Sequence, residues 1–254
     1  MKFSRYLARL LLLTLLGVAI AGCSLLPEEI DETKGWSAQK LYSKARENLM
    51  EGNYERAIEL YEKLEARYPF GRFAQQALLE SAYAYYKYDE PESAIATLER
   101  FIRTYPRHPH LDYAYYLKGL VNFTRGRSFI DKYLPVDPSQ RDAGAARQSF
   151  FDFREVVERF PNSRYAADAR KRMLFLRNLI AKYELHVADY YMRRGAYVAA
   201  ANRARNIVER FQRTPAVPDA LKLLAEAYRR LGLDDLAADA ERVWRHNYGT
   251  SADR

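Results

Sequence analysis

The chain has 254 residues, with 41 Lys and Arg against 33 Asp and Glu, a formal charge of +8, and a single cysteine. One cysteine excludes an intramolecular disulfide and a zinc site built from Cys ligands, so packing alone must hold the fold together. The basic residues alternate with acidic ones along the chain, which argues for solvated helix faces and against nucleic acid as a partner.

Residues 1–22 begin with Lys2, Arg5 and Arg9, continue as an apolar stretch from Leu10 to Ile20, and close with Ala21-Gly22 ahead of Cys23. An eleven-residue apolar run is too short to span a bilayer and reads as a signal peptide to be removed. The Ala-Gly-Cys close resembles the lipobox of bacterial lipoproteins, so Cys23 is predicted to carry a covalent N-acyl diacylglycerol lipid, palmitate included. Each buried acyl methylene contributes about 0.8 kcal/mol, and several chains make a lasting anchor. Ser24 follows, which in that pattern implies sorting to the periplasmic face of the outer membrane. Losing Lys2, Arg5 and Arg9 with the leader takes the charge from +8 to +5, only mildly basic. Residues 23–36, with Pro27, Gly35 and an acidic run, are predicted to be a flexible tether reaching roughly 40 Å at about 3.3 Å per residue.

From residue 37 the chain repeats itself. Ala57, Ala94 and Ser149 each lie twelve positions before Pro69, Pro106 and Pro161, with apolar pairs Tyr61 and Leu64, Leu98 and Phe101, Phe153 and Val156 at matching offsets between. Those offsets mark one face of a helix. Upstream, Ala45, Ala82 and Gly119 recur every 37 residues; later, Ala188, Tyr191, Gly195 and Ala200 match Ala225, Tyr228, Gly232 and Ala237 at the same step. Small residue, aromatic, glycine turn, small residue and closing proline form the tetratricopeptide pattern of helix, turn, helix. The predicted fold is all-α, a right-handed superhelical solenoid of about five such pairs, since one pair cannot bury both of its faces.

Two spacings depart from this step. About 18 extra residues fall in 124–144, where Gly126, Pro135 and Pro138 predict an insertion loop within the third repeat. Residues 164–193 lack both Gly and Pro and keep a helical apolar rhythm, predicting one long helix. The resulting division is 37–123 for the N-terminal repeats and 145–248 for the C-terminal repeats.

In this repeat the first helix of each pair lines the concave side through its second, fifth, ninth and twelfth positions. Here these hold Gln39, Tyr42, Arg46 and Leu49; Gln76, Leu79, Tyr83 and Tyr86; and Tyr113, Tyr116, Leu120 and Phe123. Such a surface suits an extended peptide with aromatic side chains, although several of these rings are equally readable as inter-repeat core. Chemistry finds little support. His108 and His110 flank Pro109, His186 and His246 stand apart, and no HExxH, GxSxG or phosphate loop occurs, so neither catalysis, metal nor a cofactor beyond the lipid is expected.

More specific residues remain. Arg67-Tyr68-Pro69-Phe70-Gly71, Gln75-Gln76, Ala84-Tyr85-Tyr86-Lys87, Arg100-Phe101-Ile102-Arg103, His108-Pro109, Lys118-Gly119-Leu120, Val136-Asp137, Arg141-Asp142, Phe160-Pro161-Asn162-Ser163, Ala188-Asp189-Tyr190-Tyr191 and Asn202-Arg203 include residues that the generic repeat does not call for. With them, nearly all of the chain after Cys23 resembles the BamD, or ComL-like, family of outer-membrane protein assembly factors, departing from it after Gly232. The resemblance implies a lipoprotein subunit of the β-barrel assembly machine that binds unfolded outer-membrane proteins through their C-terminal aromatic signal. It also implies docking on the barrel subunit BamA, with BamC and BamE as accessory lipoproteins. It further implies substrate-facing N-terminal repeats, with Tyr68 and Phe70 in a matching motif, and C-terminal repeats that hold the barrel subunit, with Arg203 pairing an acidic residue there. The competing reading is a tetratricopeptide lipoprotein scaffold for pilus or cell-wall assembly, which would lack the Tyr-Pro-Phe-Gly and Pro-Asn-Ser landmarks.

Overall fold

The computed structural model describes residues 31–125 and 143–249, so the signal peptide, Cys23, most of the tether and most of the insertion lie outside the described residues. The chain divides into two compact units, Met1–Ser37 and Ala38–Arg254. The described part of the first is a turn in which Asp31 Oδ1 accepts the Thr33 backbone N–H at 3.0 Å and its hydroxyl at 2.6 Å.

In the second unit the described residues form ten helices and no strand: α1 (Ala38–Glu51), α2 (Tyr54–Arg67), α3 (Arg72–Lys87), α4 (Pro91–Thr104), α5 (Leu111–Thr124), α6 (Gly144–Arg159), α7 (Ala166–Arg193), α8 (Tyr197–Arg210), α9 (Val217–Arg230) and α10 (Asp234–Tyr248). They make five pairs. Each helix packs on the next in the chain, and first helices of neighbouring pairs also meet, α1 with α3, α3 with α5 and α7 with α9. This nearest-neighbour packing is the tetratricopeptide solenoid.

The repeat register coincides with the core. Ala57, Ala94 and Ser149 are fully buried, as are Tyr61, Leu64, Leu98, Phe101, Phe153 and Val156 at the matching offsets. Burying each large side chain contributes about 1.5–3 kcal/mol. Small residues permit the close approach that makes this burial possible. At Gly119 an added Cβ would stand 2.7 Å from the Phe153 ring, and the Gly119 carbonyl accepts the Ser149 hydroxyl at 2.9 Å, so α5 and α6 nearly touch there.

Within the first, second, fourth and fifth pairs the chain reverses through a left-handed residue. Gly52 does so after α1 at φ 83°, and in the second pair the residue 37 positions on, Asp89, adopts φ 64°. Between pairs, Pro69, Pro106 and Pro161 follow α2, α4 and α6; after α8, where the proline is missing, Arg213 takes φ 64° instead.

The long helix runs over 28 residues, Ala166–Arg193, starting two residues later than the absence of Gly and Pro alone predicts. The preceding turn accounts for those two residues: the Ser163 hydroxyl accepts the Tyr165 N–H at 3.1 Å and donates to Asp112 Oδ2 at 2.6 Å, holding 163–165 out of the helix. α10 closes the stack, with only Ala237 and Ala240 of its residues buried and Leu236, Val243 and Tyr248 exposed.

Candidate functional site

The first two pairs form an open cleft of about 450 Å³ between α1 and α3, lined by Gln39, Tyr42, Arg46, Met50, Arg72 and Phe73 among others. Tyr42 and Tyr61 converge on one carboxylate: the Tyr42 hydroxyl donates to Glu80 Oε1 at 2.8 Å and the Tyr61 hydroxyl to Glu80 Oε2 at 2.5 Å. Burial, and then the neighbouring Glu80 charge, push the Tyr42 phenol up to about 12. Its ring packs against Phe73 at 5.4 Å, and the Arg72 guanidinium lies 4.8 Å from the Phe73 centroid. Tyr42 therefore supplies the floor of the cleft, being 8% exposed, whereas Arg46 and Met50 stand in solvent at its mouth.

The other predicted groove positions divide in the same way. Gln39 and Gln76 are exposed, Leu49, Leu120 and Phe123 are half-buried, and Leu79 is core. Tyr83 and Tyr86 are half-buried, their rings 6.4 Å apart on α3, and both pack on the cluster around Phe101. Tyr113 lies 5.5 Å from Tyr165, and burial raises its phenol above the ordinary tyrosine value. Tyr116 stacks on Tyr165 at 4.7 Å and donates to Asp168 Oδ2 at 2.7 Å, while Arg172 Nε holds the same oxygen at 2.5 Å. These rings, with Phe123 against Phe175 at 5.7 Å, form an aromatic layer between α5 and the start of α7. Tyr113 and Tyr116 thus serve packing between pairs, with only part of their surface facing out.

Tyr68 and Phe70 occupy the turn between α2 and α3. Phe70 is 88% exposed, the highest value of any large apolar residue among those described, and the Gly71 backbone at φ 95° presents it outward. Tyr68 is 37% exposed.

Arg203 sits on α8, where its Nη1 donates to Glu184 Oε2 at 2.8 Å; the other oxygen of Glu184 accepts from Arg147 of α6. The predicted acidic partner of Arg203 is thus joined by one within the chain itself. Glu80, Glu184 and Arg147 were not singled out from the sequence. For Glu184 a signal existed, since it stands 37 residues before Leu221 and is the one charged residue at a repeat position that holds Leu41, Leu78, Tyr115 and Leu221 in the other pairs. No group of three or more His, Cys, Asp or Glu converges as a metal site among the described residues, and none of their helices is long and apolar enough to cross a membrane.

A family model described as an outer membrane lipoprotein, YfiO, matches residues 35–243. The chain is 46% identical over 246 residues to the outer membrane protein assembly factor BamD of Neisseria meningitidis serogroup A, covering 96% of this chain and 92% of that one. It is 39% identical over 214 residues to the factor of the same name from Vibrio cholerae, covering 84% and 88%. A tetratricopeptide repeat protein structure from Thermus thermophilus aligns at 16% identity and a TM-score of 0.37 over 85% of this chain and 94% of that one. Matched by that model over most of its length and by these assembly factors nearly end to end, the chain belongs to the YfiO family of outer membrane lipoproteins.

Proposed function

We propose that the protein takes part in outer-membrane protein assembly as a lipid-anchored subunit that binds and does not catalyse. Its N-terminal pairs receive the C-terminal aromatic signal of unfolded outer-membrane proteins, and its C-terminal pairs dock on the barrel subunit, BamA by family resemblance, beside accessory lipoproteins such as BamC and BamE. The match to the BamD assembly factors across nearly the whole chain carries this reading.

The cleft between α1 and α3 supports the substrate half of it. An extended peptide ending in an aromatic residue needs an apolar floor, a cation for its carboxylate and room at the mouth. Tyr42 and Phe73 offer the floor, Arg46 and Arg72 the cations, and the exposed Tyr68 and Phe70 stand on the turn that leads into α3. Tyr83, Tyr86, Tyr113 and Tyr116 contribute their outward edges. The lipid on Cys23 would hold this apparatus at the periplasmic face of the outer membrane.

A photocrosslinking scan in cells tests the assignment, with a photoreactive residue placed in turn at Arg46, Phe70, Tyr83 and Arg203. Adducts of Arg46 and Phe70 with nascent barrel proteins, and of Arg203 with BamA, are the expected result. A pilus or wall protein captured at Arg203 would transfer the chain to the competing scaffold reading. In parallel, Cys23→Ser is expected to abolish labelling by radioactive palmitate and release the protein from membranes; retained label would sink the lipid anchor.

A further inference from the structure

In four of the five pairs two or three residues join the paired helices, and a turn that short leaves little freedom in how far one helix is offset along the other. In the third pair the connection is longer: Gly119 and Ser149 stand 30 positions apart, where Ala45 and Ala57 stand 12 apart. A longer connection constrains the offset less. The same pair buries a polar network between its helices. The Asp152 carboxylate on α6 is 4% exposed and accepts the Asn122 Nδ2–H of α5 at 2.8 Å and the Gln148 Nε2–H at 3.2 Å, with the Lys118 ammonium of α5 at 3.5 Å. Asn122 is buried as well, and Lys118 reaches Glu99 of α4 at 3.0 Å, so one ammonium ties three successive helices together.

Uncharged residues fit the equivalent positions. The place of Asp152 is taken by Leu60, Thr97 and Ala240 in the first, second and fifth pairs, all buried, and by Arg203 in the fourth; the place of Lys118 is Leu224 in the fifth. Replacing a buried charged network with apolar residues of similar volume is often neutral or stabilising. This network also leaves Asn122 Oδ1 buried with no donor among the described residues, which adds to its cost. Stability therefore does not account for it. What apolar residues lack is direction. They tolerate packing one helical turn up or down, whereas a slip of one turn, about 5.4 Å, carries Asp152 away from Asn122 and strands a buried carboxylate.

We infer that Lys118, Asn122 and Asp152 form a register lock: they set the offset of α6 along α5, where the connection between the two helices is too long to set it. Every later helix follows α6, so a slip would shift α6 to α10 by one turn relative to the cleft between α1 and α3. The offset thus fixes how far the C-terminal pairs stand from that cleft, whatever each of the two parts binds.

Pulsed electron spin resonance tests the lock on the chain from Ser24 onward, which keeps every described residue and contains no native cysteine. Nitroxides on Arg125→Cys and Glu158→Cys, both exposed positions, report the offset. With the native network one narrow distance is expected, and a broad distribution there overturns the lock. Lys118→Leu, Asn122→Leu and Asp152→Leu together should keep or raise the Tm yet broaden the distance or displace it by about 5 Å. Deleting residues 127–144 joins Gly126 to Ala145 and restores the 12-position step, and in that background the same three leucines should return one narrow distance. Leucines that leave the distance narrow and unmoved with the native connection would show that the Gly119 notch receiving Phe153 sets the offset, and overturn the lock. Broadening that persists after the deletion shows a loosened pair instead of an unset offset, and overturns it too. Should the three leucines unfold the chain, the deletion background decides: a folded chain with a narrow distance supports the lock, whereas an unfolded one shows that the network stabilises and does not specify, which overturns it.

Discussion

Gly119 shows how much one methyl group matters in this fold. It holds the place of Ala45 and Ala82 in the repeat, and across the pair a Cβ would meet three ring atoms of Phe153 at 2.7 to 3.0 Å. Overpacking of this kind costs about 1–3 kcal/mol, and the helix propensity gained by alanine returns only about 1 kcal/mol. With three ring atoms that close at once, the cost falls in the upper part of that range, about 2–3 kcal/mol, so Gly119→Ala should lower urea stability by about 1–2 kcal/mol, whereas an unchanged midpoint would mean that α5 and α6 stand further apart than described. A second residue-scale expectation concerns pH. The Nδ1 of His108 accepts the His110 N–H at 3.1 Å, and its ring lies edge-on to Phe101 at 5.0 Å. Burial, and then the charge of His110, hold His108 below the ordinary value of 6.5. A lowered folded value means that the unfolded chain binds the proton more readily. The contribution of His108 is thus present above its unfolded value and lost as pH falls through the folded one. Comparing Tm at about pH 7.5 and about pH 5, His108→Gln should show a smaller acid-induced drop than the wild type; equal drops would remove His108 from the acid response.

At the scale of the element, the turns show which sequence signals the chain can replace. Three second helices end at a proline, but after α8 the chain turns through Arg213 in the left-handed region, a conformation that costs a non-glycine residue about 1–2 kcal/mol. Asp89 carries a milder version of the same strain, because a short polar side chain tolerates that region better. Arg213→Gly is expected to stabilise the protein by about 1 kcal/mol after the greater freedom of glycine in the unfolded chain is subtracted. Asp89→Gly should gain less, and thermal unfolding of both variants checks the order. If Arg213→Gly is destabilising, the Arg213 side chain holds the turn in place. α7 is the other irregular element. Its first turns face the aromatic layer of α5 and its later turns face α8 and α9, so one helix carries the stacking of both the third and fourth pairs.

Across the whole molecule, every pair depends only on its neighbours, and this makes damage local. Removing residues 217–254 would strip the cover from Ala200, Ala201 and Ala204 on α8 while leaving the clusters around Phe101 and Phe153 in place. Hydrogen exchange measured by mass spectrometry on that truncation should show faster exchange in α8 and the end of α7, with α1 to α5 unchanged. Loss of protection along the whole chain would show cooperative folding beyond nearest neighbours.

The fold was legible because its information is periodic. Ala57 with Tyr61 and Leu64, Ala94 with Leu98 and Phe101, and Ser149 with Phe153 and Val156 repeat at fixed offsets, and one helix-pair geometry buries them all. The candidate site was legible only in part. Composition and register marked Tyr42, Tyr83, Tyr86, Tyr113 and Tyr116 as aromatic positions on first helices. They did not separate a cleft floor such as Tyr42 from an interlayer ring such as Tyr116, because that depends on Phe73, Glu80, Tyr165 and Asp168 arriving from other helices. Sequence by itself determined the class of fold, the number of pairs and the single cysteine available for a lipid, since each follows from spacing or composition along one chain. Tertiary structure alone decided which polar groups share a partner. Arg147 and Arg203 are 56 residues apart in the chain and meet only because α6 and α8 both pack on the face of α7 that carries Glu184.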